Sequence, residues 1–114
     1  MNQRINKHLA DIKECIEQIE SFTGTINNFY EFRDNIMLKK AVERNLEIIG
    51  ESLNTILKFE SKIQITNARQ IVDMRNKLIH EYDKIDDVVI WGIVKKHLVL
   101  LKEEINNLLI QNGE

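Results

Sequence analysis

The 114-residue sequence contains no proline, one cysteine and only four glycines. Average usage would supply about 5% proline. Its absence argues against a turn-rich all-β fold and favours long, uninterrupted helices. The single cysteine, Cys15, cannot form an internal disulfide and suits a reducing cytoplasm. No apolar run reaches the roughly 18 residues that a transmembrane helix needs, so we expect no membrane partner.

The polar start, from Met1 to Arg4, leads into an amphipathic segment, so we expect no signal peptide and a cytoplasmic protein. The net charge is small: 16 basic against 18 acidic residues give −2. Proteins that coat long nucleic acids usually carry a strong basic excess, because their binding releases counterions from phosphates. The composition therefore disfavours extended, non-specific nucleic-acid binding but leaves room for a small site that binds individual phosphates.

Apolar residues recur at spacings of three and four in four segments, the pattern of amphipathic helices. The first helix is predicted over Ile5–Phe22 and the second over Asn28–Phe59, with a break near Asp34–Lys39. A third is predicted over Ala68–Tyr82, and a last helix carries apolar residues from Val89 to Leu109. The pattern predicts an all-α fold, a four- to five-helix up-and-down bundle formed by a single domain over residues 1–114.

Four residues are expected to shape the ends and contacts of these helices. Gly24 is a candidate C-cap of the first helix, whereas Asn67 and Asp86 are candidate N-caps of later ones. Gly92 lies inside the last helix, where glycine costs about 1 kcal/mol relative to alanine. We therefore expect a close contact between helices at Gly92.

Several kinds of chemistry have no motif in this sequence. Dinucleotide-binding, P-loop and Cys-x-x-Cys patterns do not occur. A di-iron bundle would need Glu-x-x-His pairs, but His8, His80 and His97 have no glutamate three residues before them. We expect no metal site and no cofactor.

Three glutamates, Glu43, Glu47 and Glu51, recur every four residues on the second predicted helix. Side chains at this spacing share one helix face. With Lys39 and Lys40 nearby, the simplest interpretation is a solvated or salt-bridged face.

One stretch, residues 71–82, places an arginine among apolar side chains. At about 100° per residue, Arg75 lies in the middle of the apolar arc, and Tyr82 shares its face two turns later. Asn76, His80 and Asp73 lie together at the edge of the arc. A guanidinium keeps its charge and is costly to bury unpaired, so Arg75 needs a carboxylate, a subunit interface or an anionic ligand.

Two interpretations of this stretch remain open from the residues alone. In the first, Arg75 forms an internal ion pair with a glutamate, and His80 is an ordinary boundary histidine. In the second, Arg75 binds a phosphate as a bidentate donor, and His80 carries a proton near neutral pH. Their five-residue spacing places them about 7.5 Å apart along the helix axis, where they could flank one phosphodiester.

At these residues the sequence resembles a known family. Arg75-Asn76-Lys77-Leu78-Ile79-His80-Glu81-Tyr82 is similar to the Arg-x4-His-x-Tyr signature of HepT toxins, within the HEPN group of α-helical ribonucleases. The segment 41–51 resembles the second-helix pattern of that family. Residues 89–91, followed by a long apolar helix, resemble its last part. The resemblance implies a HEPN-like fold over nearly the whole chain.

The resemblance also implies a function: the toxin of a type VII toxin–antitoxin system, a metal-independent RNA endonuclease that uses the ribose 2′-hydroxyl as nucleophile. His80 would transfer protons, Arg75 would stabilise the phosphorane charge, and Asn76 would orient the imidazole or the phosphate. Since one histidine cannot easily serve both sides of the phosphorus, a C2 homodimer would supply the second motif.

The same resemblance assigns Tyr82 a regulatory role. A minimal nucleotidyltransferase antitoxin of the MntA type would transfer AMP from ATP to Tyr82. The attached phosphate would then bind the guanidinium of Arg75 and prevent RNA from binding there.

Two alternatives to the catalytic toxin follow from the same residues. The protein could be a non-catalytic subunit that presents a nucleotide or substrate to the nucleotidyltransferase. It could also be a purely structural helical partner in which Arg75 forms an internal ion pair.

Overall fold

The computed structural model describes residues 3–80 and 85–112. The helices are α1 (Gln3–Thr23), α2 (Phe29–Arg33), α3 (Ile36–Phe59), α4 (Ala68–His80), α5 (Asp87–Gly92) and α6 (Leu98–Gln111), with a π-helical turn, Ile93–His97, joining α5 to α6. Because α5, the π turn and α6 form one continuous run, the described part consists of four long helical segments and the short α2. The predicted all-α bundle of four to five helices is confirmed.

The first long helix runs in the opposite direction to two of the others. The ring of Phe59, the last residue of α3, lies 5.1 Å from the guanidinium carbon of Arg4 near the start of α1. Asn112 donates to Asn6 at 2.7 Å, next to the same end of α1. α1 therefore runs antiparallel to both α3 and α6.

One hydrophobic core joins these helices. The predicted stripe of α1 is buried from Ile5 to Ile19, and α3 and α6 contribute fully buried residues such as Ile49 and Ile105. Burying a side chain of this size contributes about 1.5–3 kcal/mol, so the core is the main source of stability. Within the described residues, no helix combines the length and the apolar character needed to cross a bilayer.

The predicted helix boundaries agree with the structure at three places. The second predicted helix breaks at Asp34–Asn35, inside the range expected, and the Asn35 side chain caps α3 by accepting from Leu38 N at 3.0 Å. Asp86 caps α5 by accepting from Val88 N at 2.9 Å. Gly24 directly follows α1, and a Cβ there would lie only 2.9 Å from the Glu20 carbonyl oxygen.

Asn67 does not act as the predicted side-chain cap. α4 begins at Ala68 as expected, but only the Asn67 carbonyl takes part, accepting from Ile71 N at 3.1 Å. Its φ of 58° lies in the left-handed region, which asparagine tolerates better than most residues. That geometry differs from the extended backbone of a side-chain cap. The predicted end of this helix, at 81–82, and the polar break at 83–84 lie outside the described residues.

The expected close contact at Gly92 was wrong. A Cβ at Gly92 would meet no atom within 4 Å. Gly92 instead directly precedes the π-helical turn, which the spacing of apolar residues did not predict. The close approach between helices occurs at a different glycine, Gly50.

Candidate functional site

The candidate site lies where α4 crosses α3. Gly50 of α3 faces Arg75 of α4, and a Cβ added to Gly50 would overlap the Arg75 Cβ and lie 2.9 Å from its Cγ. The same Cβ would lie 3.3 Å from the carbonyl oxygen of Ile71, one turn earlier on α4. The backbone of α3 at Gly50 is therefore in direct contact with the Arg75 side chain and the α4 backbone.

Arg75 is half-buried in this contact and has no carboxylate partner among residues 3–80 and 85–112. Its Nη1 donates to Asn76 Oδ1 at 2.8 Å, while its Nε is buried without a hydrogen-bond partner. The alternative of an internal Arg–Glu pair thus has no counterpart in the described part of the chain. The charge of Arg75 remains available to an anion.

His80 and Asn76 lie together on the exposed side of α4. Both side chains are exposed, and their spacing of four residues makes them neighbours on the helix surface. The hydrogen bond from Arg75 to Asn76 draws the guanidinium toward this face. The structure therefore joins Arg75 to Asn76 directly and places His80 one turn beyond, at the last residue of α4.

Tyr82, the predicted modification site, lies outside the described residues.

Comparison with known proteins shows which family the chain belongs to. The family model described as "Ribonuclease HepT-like" matches residues 12–108. The chain belongs to the HepT-like ribonuclease family. The suspected HepT relationship and the ribonuclease class are thereby confirmed.

Relatives of similar length support this membership. A Thermococcus cleftensis protein named "Probable ribonuclease HepT" is 38% identical over 109 residues, covering 95% of this chain and 98% of its own. A Methanocaldococcus jannaschii protein named "Putative RNase MJ1380" is 37% identical over 102 residues, covering 89% of this chain and 93% of its own.

A solved structure has a similar fold. It is described as "Crystal structure of the toxin-antitoxin with AMP-PNP" and matches with a TM-score of 0.73 at 22% identity. The match covers 98% of this chain and 100% of the other. This similarity supports the all-α fold that the sequence predicts.

The other side of α4 borders an apolar cavity of about 220 Å³ in this HepT-like chain. Ile71 and Met74 line it from α4, and Ile93 and His97 line it from the π turn. Around the helix, Ile71 and Met74 lie roughly 140–160° from Asn76. The cavity therefore lies on the opposite side of α4 from Asn76, whereas Ile71 lies only about 40° around the helix from Arg75.

The glutamates of α3 differ in their surroundings. Glu51 is exposed, and Glu47 accepts from Arg44 at 3.1 Å, as a solvated or salt-bridged face predicts. Glu43 is half-buried, and burial, followed by the negative charge of Asp87, raises the pKa of its carboxyl group. Glu43 thus does not fit the predicted solvated or salt-bridged face.

A second ion pair sits next to Glu43. Lys39 donates to Asp87 at 3.1 Å, and this pair joins α3 to α5. Among the described residues, no group of three or more histidines, cysteines or acidic residues could hold a metal ion.

Gly50 is the residue of this region that sequence reasoning missed. It interrupts an otherwise apolar helical run, Ile48-Ile49-Gly50, where a glycine costs about 1 kcal/mol relative to alanine. The same cost applies at Gly92. The signal was present at both glycines, but periodicity does not reveal which one faces a neighbouring helix.

Proposed function

We propose that this chain is the toxin of a toxin–antitoxin pair, a metal-independent RNA endonuclease that acts through Arg75, Asn76 and His80. Membership of the HepT-like ribonuclease family supports the reaction class. The solved structure of the same fold is a toxin–antitoxin complex, which supports the biological role. The observation that carries the proposal is Arg75, half-buried against Gly50 without a carboxylate partner among the described residues.

The proposed reaction is transesterification within RNA. The 2′-hydroxyl oxygen attacks the adjacent phosphorus, the bond to the 5′-oxygen breaks, and a 2′,3′-cyclic phosphate and a 5′-hydroxyl result. A base must take the 2′-hydroxyl proton, and an acid must protonate the leaving oxygen. His80 is an exposed imidazole suited to either transfer.

Arg75 would stabilise the negative charge that develops on the phosphorane oxygens. Its bond to Asn76 occupies one N–H of Nη1, so other guanidinium donors remain for the phosphate. Asn76 would hold the guanidinium on the face that His80 shares. The role proposed for Asn76 is therefore to orient Arg75.

A C2 homodimer would complete the site. Base and acid act on opposite sides of the phosphorus, whereas each chain carries one motif histidine. Two copies related by a twofold axis would supply one His80 to each side.

Regulation would act on Tyr82. A minimal nucleotidyltransferase of the MntA type would catalyse attack of the Tyr82 hydroxyl oxygen on the α-phosphorus of ATP, releasing pyrophosphate and leaving AMP on the tyrosine. The added phosphate would neutralise Arg75 and exclude RNA. Such a pair would work in the cytoplasm, where RNA and ATP are available.

The decisive experiment measures cleavage of labelled RNA by the purified chain in EDTA. His80→Ala and Arg75→Ala should each lower the rate at least about 100-fold, the size of effect expected for proton transfer or charge stabilisation. Both variants should stay folded and dimeric. His97→Ala is the matched control, because His97 is exposed but lies on the π turn outside the motif.

Parental cleavage by His80→Ala would overturn the assigned roles, and a strict magnesium requirement for the chemical step would overturn the 2′-hydroxyl mechanism. If the parent cleaves no RNA but binds the nucleotide of the transferase, the chain is instead the non-catalytic subunit of that enzyme.

A further inference from the structure

The contact between Gly50 and Arg75 decides how closely α4 can approach α3. A Cβ at position 50 would overlap the Cβ of Arg75, an atom fixed by the α4 backbone. Rotating the arginine side chain cannot relieve that overlap. The added carbon would also lie 3.3 Å from the Ile71 carbonyl oxygen, so the α4 backbone itself would have to move.

The same contact sets the direction of the arginine side chain. With Cβ and Cγ against Gly50, Nε is buried, and the end of the guanidinium leaves the interface toward Asn76, where Nη1 donates at 2.8 Å. A guanidinium is a planar fork, so small changes in its orientation alter which donors face a phosphate.

We infer that Gly50 is a positioning residue for Arg75: its lack of a side chain lets α4 dock on α3 so that the guanidinium presents its donors on the face shared with Asn76 and His80. The inference rests on the proposed function, since it assigns this geometry to RNA cleavage.

The kinetic test compares Gly50→Ala with Gly92→Ala. Gly50→Ala should lower kcat about 100-fold, the scale expected when a catalytic group is misplaced by about 1 Å, with KM changed much less. Gly92→Ala adds the same methyl group within a helical run, but a Cβ at this position would meet no atom within 4 Å. This variant should therefore retain the parental kcat. Rates are compared per folded molecule, below the onset of unfolding of each variant.

A spectroscopic test uses the parent protein. The Nε–Hε signal of Arg75, assigned by its loss in Arg75→Lys, should exchange with solvent more slowly than that of the exposed Arg69, because Arg75 Nε is buried. In folded Gly50→Ala the Arg75 signal should shift and exchange faster. A merely structural glycine would lower stability without moving this signal in the folded protein.

The outcomes separate the inference from the proposed function. If the parent cleaves RNA and folded Gly50→Ala has parental kcat, the inference is wrong and the function stands. If the parent cleaves no RNA, the function fails. If Gly50→Ala does not fold, the exchange measurement decides: equally fast exchange of Arg75 and Arg69 overturns the inference, and slow exchange of Arg75 supports it.

Discussion

At the scale of single residues, the site combines a fixed cation with an exposed imidazole. Arg75 is held against Gly50 and bound to Asn76, whereas His80 is exposed at the last residue of α4. A half-buried guanidinium without a carboxylate is costly for a fold to maintain. Our proposed function accounts for that cost, because a phosphate would supply the missing negative charge.

Glu43 allows a prediction about pH. Burial and the nearby charge of Asp87 raise the pKa of this carboxyl above its ordinary value of 4.5, although Lys39 opposes the shift. The folded chain therefore holds the Glu43 proton more tightly than the unfolded chain does. This contribution is fully present below pH 4.5 and is lost as the pH rises through the folded-state pKa.

Glu43→Gln should accordingly raise the free energy of unfolding at pH 7, by less than about 1 kcal/mol because solvent screens a partly exposed group. The gain should vanish near about pH 3.5, where the parent carboxyl is protonated in both states. Urea unfolding at the two pH values measures this difference. Glu51→Gln, an exposed position on the same helix, serves as control; an equal gain at both pH values would contradict the electrostatic explanation.

At the scale of elements, the break before α3 depends on local capping. Asn35, the N-cap of α3, lies two residues after the end of α2 and accepts from the backbone N–H of Leu38. Removing such a cap leaves a helix N–H without its partner. Asn35→Ala should therefore lower the free energy of unfolding by about 1 kcal/mol.

Asn27 provides the control for this substitution. Asn27 is exposed in the connection before α2 and makes no hydrogen bond within the described residues. Urea unfolding should show little change for Asn27→Ala. Equal losses in both variants would exclude capping as the cause.

At the scale of the whole molecule, the proposed mechanism requires two chains. With equal amounts of parent and His80→Ala, random pairing leaves two motif histidines in about a quarter of the dimers. If both histidines act on one phosphodiester, the cleavage rate should fall to about a quarter of that of the same total amount of parent protein. A rate near one half would mean that each chain cleaves alone.

We expect AMP transfer to silence the ribonuclease activity of the dimer. The cognate nucleotidyltransferase and ATP should add AMP to Tyr82, measured as a mass increase on the peptide that contains it. Tyr82→Phe should keep its ribonuclease activity, since the hydroxyl has no required proton-transfer role, yet escape silencing. Modification only at Tyr30, which lies on α2 away from the motif, would refute this mechanism.

The sequence alone determined the helical architecture and the motif. Three- and four-residue spacings depend on local helix geometry, so they predicted α1 and the break at Asp34–Asn35. Capping by Asp86 was equally predictable, because a cap bonds to its own helix. The spacing of Arg75, Asn76 and His80 within one helix likewise required no tertiary information.

Tertiary structure decided everything that depends on which helices face each other. Two helical glycines carried the same sequence signal, yet only Gly50 meets a neighbouring helix. Among the described residues, no carboxylate pairs with Arg75, and Glu43 is half-buried. Both features also depend on which helices face each other. Helix periodicity fixes the direction of a side chain around its own axis, but its partner depends on how the whole chain packs.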